Sequence, residues 1–276
     1  MADGRHRADR SAARPGRGLH RADRSAARSG RGLHRVEEVM GLPVGVDVRD
    51  DGIEPGALDR AFGWLRWVDA TFSTYRAGSE VSRLNAGTLA LGDAAPEVRA
   101  VLARCDALRV HTRGCFDVRA RGALDPSAFV KGWAVEAVAS MLVAEGARNL
   151  CVHAGGDVRV RGERAPGLPW RVGIQHPHLR HGTAAVLHAR DLAVATSGAY
   201  ERGAHIVDPR TGEPPEGVLS VTVLGPELGT ADAYATAAFA MGLEGPAWTA
   251  GLDDYEALTI LSDGRVLSTR GVPDVE

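Results

Sequence analysis

The chain has 276 residues, 44% apolar and 5% aromatic, enough to bury a sizeable core in one large domain or two small ones. Its formal charge of −2 conceals an asymmetry: residues 1–35 hold ten Arg against three Asp, a charge of +7 that leaves about −9 on the remainder. A body this acidic argues against a general polyanion-binding surface, so nucleic acid is not an expected partner.

Residues 6–19, HRADRSAARPGRGL, recur at 20–33 with a single difference, and His34-Arg35 begins a third copy that breaks off. So short an Arg/Gly/Ala/Ser duplication cannot bury a core; residues 1–35 are expected to be a disordered extension, with one domain over 36–276. No apolar h-region follows the basic start and no later stretch reads as a membrane span, which points to a cytoplasmic protein. Cys105, Cys115 and Cys151 have neither CxxC nor His-linked spacing and read as reduced thiols.

Alternation in PVGVDVR predicts a strand over 43–49, and apolar Leu58, Phe62, Leu65 and Val68 predict a helix over 55–70. Further helices fit 96–110 and 130–145. Strands are then predicted at 149–153, 157–161, 170–175, 185–188, 192–196 and 219–224, a helix at 231–241, and strands at 258–261 and 266–268. Strands outnumber helices without regular alternation, which indicates an α+β fold, a single domain with a large mixed, partly antiparallel sheet flanked by helices. No GxGxxG or GxxxxGK(S/T) sits at a strand-to-helix turn.

Four segments carry more glycine, hydroxyl and charge than a plain core needs. In TFSTYRAGSEVSRLN (71–85), Tyr75 and Arg76 could meet a planar, phosphate-bearing ligand, or the segment is a capping loop in which Ser79 starts a short helix. In FDVRARGALDPSAFVKGWAV (116–135), Asp125 precedes Pro126 and Ser127 at a helix start with Lys131, the one Lys of the chain, a turn further on. Such a start attracts phosphate, although Asp followed by Pro is also an ordinary cap. Gly155-Gly156-Asp157 is a turn that either admits a ligand or makes a hairpin. Finally, His205 beside Asp208-Pro209 could serve as a base, and Asp232 and Thr236, spaced i, i+4 on a helix, could converge on a hard cation or form an exposed polar stripe.

Taken in order, MG at 40–41, FSTYRxxSEVSRLN, FDV…DPSxxVKGWAVE, AGGDVRV, WRVGIQxP, ATSGxYERGxHIVDPRTGxP and SVTVxGPxxxxADAYATAAFAMG resemble the ApbE-type FAD:protein FMN transferases over about residues 36–270. The resemblance implies FAD as substrate, Mg²⁺ as cofactor and transfer of FMN to a Ser or Thr hydroxyl of an acceptor flavoprotein with release of AMP. It implies Met40 touching the flavin from the first strand, Tyr75 against the isoalloxazine, and Cys115, Phe116 and Asp117 lining the dinucleotide. Asp125, Lys131 and Val207 join the FAD site, the Ala128 carbonyl with Asp232 and Thr236 holds the metal, and His205 is the base. Departures are Ala128 for Gly, His153 for Asn, Ala235 for Asp in some members, and a short stretch between Asp117 and Asp125. Acceptors of the family carry a motif like D-x-x-S/T-G-A-T; TSGAY at 196–200 has Val194 and Tyr200 instead, so the chain is not expected to modify itself. The rival readings are an FAD hydrolase yielding FMN and AMP, and a non-catalytic flavin-binding protein.

Overall fold

The computed structural model describes residues 32–179, 182–198 and 206–273. All but the last four residues of the expected Arg-rich extension lie outside them.

The first described element is β1 (Leu33–Val39), which pairs along its length with β2 (Leu42–Val48). The strand takes in His34 and Arg35, so the expected boundary at residue 36 falls inside it. Arg35 is held by Asp59, 2.7 Å away, and lies over the Phe62 ring. Helix α1 (Gly56–Phe72) buries the expected stripe of Leu58, Phe62, Leu65 and Val68, and Phe72 beyond it. Short α2 (Glu80–Asn85) starts at Ser79, whose hydroxyl accepts from the Ser82 N–H. Helices α3 (Pro96–His111) and α4 (Ser127–Ala144) follow, the second apolar almost all round.

The remaining strands are β3 (Leu150–Ala154), β4 (Asp157–Arg161), β5 (Trp170–Gln175), β6 (Thr183–Ala189), β7 (Ala193–Gly198), β8 (Val218–Gly225), β9 (Glu256–Leu261) and β10 (Val266–Ser268). Helix α5 (Leu228–Ala240) and one-turn α6 (Gly245–Thr249) lie between β8 and β9. Eight strands form one sheet in the order β1-β2-β3-β4-β7-β8-β9-β10, with β5 and β6 a separate ribbon. The expected α+β fold with a large sheet is present, and each pairing among the described strands is antiparallel.

Alternation divides the sheet between two cores. Val44, Val46, Val48, Leu150, Val152, Val221 and Val223 pack against the helices. Val160, Val194, Leu224, Leu258 and Ile260 pack against the ribbon through Trp170, Val172, Ile174 and Leu187. The Trp170 indole N–H donates to the Arg161 carbonyl at 2.9 Å and ties ribbon to sheet. Among the described residues α4 is the helix long and apolar enough to cross a membrane, but it packs against α1, α5 and the sheet as a core helix does.

Candidate active site

A cavity of about 1830 Å³ opens where the N-terminal end of α4 and the middle of α5 meet the sheet. It exceeds the roughly 300–1,000 Å³ usual for small-molecule sites. Of the twelve residues expected at the site, eleven line it: Met40, Tyr75, Cys115, Phe116, Asp117, Asp125, Ala128, Lys131, Val207, Asp232 and Thr236. The twelfth, His205, lies outside the described residues; Ile206 and Val207, which follow it, line the cavity.

Met40 sits in the turn between β1 and β2 rather than in the strand. Val39 pairs with Leu42, so Met40 and Gly41 form a two-residue loop with φ of 56° and 73°. That is the I′ pattern, which matches the twist of the flanking strands and favours Gly or Asn. Tyr75 is 94% exposed at the rim, free to lie against a planar ligand. Cys115 and Phe116 are buried in the wall, where burial pushes the Cys115 thiol above its ordinary value. Asp125 takes the bland role as well as a place in the cavity: its Oδ1 accepts from the Ser127 N–H at 3.1 Å and the Ser127 hydroxyl at 2.6 Å, capping the start of α4.

The charged end of the cavity is built by three elements. Ala128 and Lys131 lie one turn apart on α4, and Asp232 and Thr236 one turn apart on α5. Lys131 Nζ lies 2.9 Å from Asp157 Oδ1 on β4 and 3.8 Å from Asp232 Oδ2, with both carboxylates almost wholly buried. The Thr236 hydroxyl lies 3.2 Å from that of Ser197, at the end of β7. The helices come this close because Gly132 has no side chain: a Cβ there would meet the Leu228 carbonyl oxygen at 2.7 Å.

Glu136 fastens the same three elements. From α4, its Oε1 accepts from Arg159 Nε at 3.0 Å and Arg161 Nη2 at 3.3 Å on β4, while Oε2 accepts from the Leu228 N–H at 3.1 Å at the start of α5. Burial lowers the affinity of the Arg159 guanidinium for its proton, and Glu136 counters this. Glu227 caps α5, accepting from the Gly229 and Thr230 N–H groups.

A buried carboxylate, paired hydroxyls and a helix-start carbonyl are hard oxygen donors of the kind Mg²⁺ takes. Among the described residues no three His, Cys, Asp or Glu side chains form a metal-binding group. A cation here would therefore complete its shell with water or substrate phosphate, the usual habit of Mg²⁺. The donor set fits such an ion.

Asp157 stands in the Gly155-Gly156-Asp157 turn and Glu136 in the VKGWAVE block, but the sequence motifs assign neither a role of its own in the site. A signal for them exists all the same: Asp157, Arg159 and Arg161 alternate along β4 toward the helices, and charge on the inner face of a central strand requires internal partners.

An antiparallel sheet under helices with an acid, hydroxyl and ammonium end to a large cavity defines a class of ligand-binding α+β protein. The chain belongs to the ApbE family, whose sequence pattern matches residues 40–123 and 118–259. It is similar to the FAD:protein FMN transferases of Vibrio cholerae serotype O1, 39% identical over 131 residues, and Treponema pallidum, 35% over 208 residues. These matches cover 44% and 64% of this chain, and only 39% and 57% of the relatives' own lengths. Among solved structures, the flavin transferase ApbE from Vibrio cholerae has a TM-score of 0.77 at 26% identity, covering 87% of this chain and 97% of that one. The ApbE protein of Thermotoga maritima gives 0.78 at 22% identity over 87% and 97%, a likeness of fold.

Proposed function

We propose that the chain transfers the FMN half of FAD to a Ser or Thr hydroxyl of an acceptor protein, releasing AMP, with Mg²⁺ as cofactor. The observation that carries this reading is the convergence of flavin-side and cation-side candidates on one cavity, supported by membership of the ApbE family. Met40 and Tyr75 would receive the isoalloxazine, and Cys115, Phe116, Asp117, Asp125 and Val207 would line the rest of the dinucleotide. Asp232, Thr236 and the Ala128 carbonyl would hold Mg²⁺, which when bound neutralises charge developing on the pyrophosphate. Lys131 adds a positive charge at the same end.

In the transfer, the acceptor oxygen forms a bond to the FMN phosphorus, the phosphorus–oxygen bond to AMP breaks, and AMP leaves with the electron pair. His205 would take the hydroxyl proton as general base. Replacing it by Ala should lower transfer by about two to four orders of magnitude while leaving FAD binding intact; unchanged turnover would remove it from the mechanism. The three unpaired thiols fit a reducing compartment, so the proposal includes the cytoplasm as its location.

The deciding experiment mixes the chain with FAD, Mg²⁺ and a peptide carrying D-x-x-S/T-G-A-T, and looks by mass spectrometry for an FMN adduct. Free FMN and AMP without adduct would make the chain a hydrolase; neither product would make it a flavin-binding protein.

A further inference from the structure

Among the described residues, the charged end of the cavity sets the Lys131 ammonium between two buried carboxylates, and the division is unequal. Lys131 Nζ is 2.9 Å from Asp157 and 3.8 Å from Asp232. Asp157 is fully buried and its Oδ2 accepts no hydrogen bond among the described residues. Attraction between unit charges falls with distance and is strong where water is excluded, so Asp157 has the first claim on the ammonium. A lysine stem has four rotatable carbons, so the ammonium can move from one carboxylate to the other.

We propose that Asp157 is a positioning residue that draws the Lys131 ammonium toward itself and so keeps it from closing fully on Asp232 in competition with a divalent cation. This rests on the reading of Asp232 as a cation-holding oxygen. The backbone around the cluster is tied independently of Asp157, because Glu136 fastens α4, β4 and the start of α5. Removing the Asp157 charge therefore leaves the frame in place and changes where the ammonium rests. Released, it closes on Asp232, and an incoming cation has to displace it. Asp157 thereby weakens the internal competitor without touching the cation.

The test measures Mn²⁺ binding to the full chain by electron paramagnetic resonance, without FAD. Asp157→Asn should weaken binding by about tenfold, the gain in attraction when an ammonium 3.8 Å from Asp232 closes to direct hydrogen-bond contact at an effective dielectric of about 20. The double variant Lys131→Met/Asp157→Asn, which removes both charges of the buried pair, should bind Mn²⁺ at least as tightly as the unaltered chain. This reversal distinguishes positioning from a structural role or direct ligation, both of which predict that the double variant stays weak. Asp157→Asn binding as tightly as the unaltered chain, or a double variant weaker than it, overturns the inference. Should Asp157→Asn fail to fold, the double variant alone decides. Asp232→Asn locates the site: if it leaves Mn²⁺ binding unchanged, the cation reading of Asp232 fails and this inference falls with it. If it abolishes binding while Asp157→Asn does nothing, only this inference fails.

Discussion

Met40 occupies a left-handed backbone conformation that costs most side chains about 1 kcal/mol or more and that Asn tolerates well. Met40→Asn should therefore raise thermal stability by up to about 1 kcal/mol. If the side chain meets the flavin, the same variant should weaken FAD binding, so calorimetry and a fluorescence titration should move in opposite directions. The cysteines are chemically quiet for a different reason. Burial pushes Cys105 and Cys151 up to about 12 and raises Cys115 as well. Native protein at about pH 8 should react slowly with a disulfide reagent, and all three thiols should react at once after denaturation. Asp208, between the cavity-lining Val207 and Pro209, behaves oppositely: hydrogen bonds from the Arg210 side chain hold its carboxyl below the usual range. A depressed carboxylate contributes stability above its unfolded value, near 4, and loses it as pH falls through the folded value. Asp208→Asn should thus cost about 1 kcal/mol at neutral pH, the partial exposure of Arg210 keeping the figure low, and the gap should close below about pH 4 in denaturant titrations.

The crossing of α4 and α5 is where an element-level change reaches the site. Gly132 lets the helices touch, and an added methyl would press on the Leu228 backbone, which cannot swing aside as a side chain can. Gly132→Ala should destabilise the chain by about 1–3 kcal/mol. It should also weaken Mn²⁺ binding, because α5 carries Asp232 and Thr236 away from α4. A loss of stability without any change in cation binding would show that the crossing matters for packing alone. The face of α1 toward α4 is aromatic, with Trp64 stacked on Trp67 at 4.8 Å and tilted against Trp133 at 5.3 Å, which stiffens the pair from behind.

At the scale of the whole molecule, β1 decides where a shortened chain can begin. A chain starting at Gly32 keeps the pairing of Leu33, His34 and Arg35 with β2 and the Arg35 contact to Asp59; one starting at Val36 loses them. The first should retain flavin activity and melting temperature, and the second should lose about 1–2 kcal/mol of stability on calorimetry. Deletion to Gly32 that abolished activity would give the Arg-rich repeat a functional part. Much of this architecture is legible in local pattern. The α1 stripe, the 157–161, 170–175 and 266–268 strands and the Ser79 start of α2 follow from periodicity and capping, which operate over a few residues. β1 escapes such a reading because its first residues, Leu33, His34 and Arg35, repeat Leu19, His20 and Arg21 and so read as part of the duplication. The i, i+4 spacing by itself puts Asp232 and Thr236 on one face of α5, since the geometry of any helix requires it. That Lys131 meets Asp157 ahead of Asp232, that Ser197 reaches Thr236, and that Glu136 locks α4, β4 and α5 together are pairings between residues up to 101 positions apart. Only the close packing of helices on the sheet brings such residues within bonding distance, and the burial it imposes is what makes their charges act on one another.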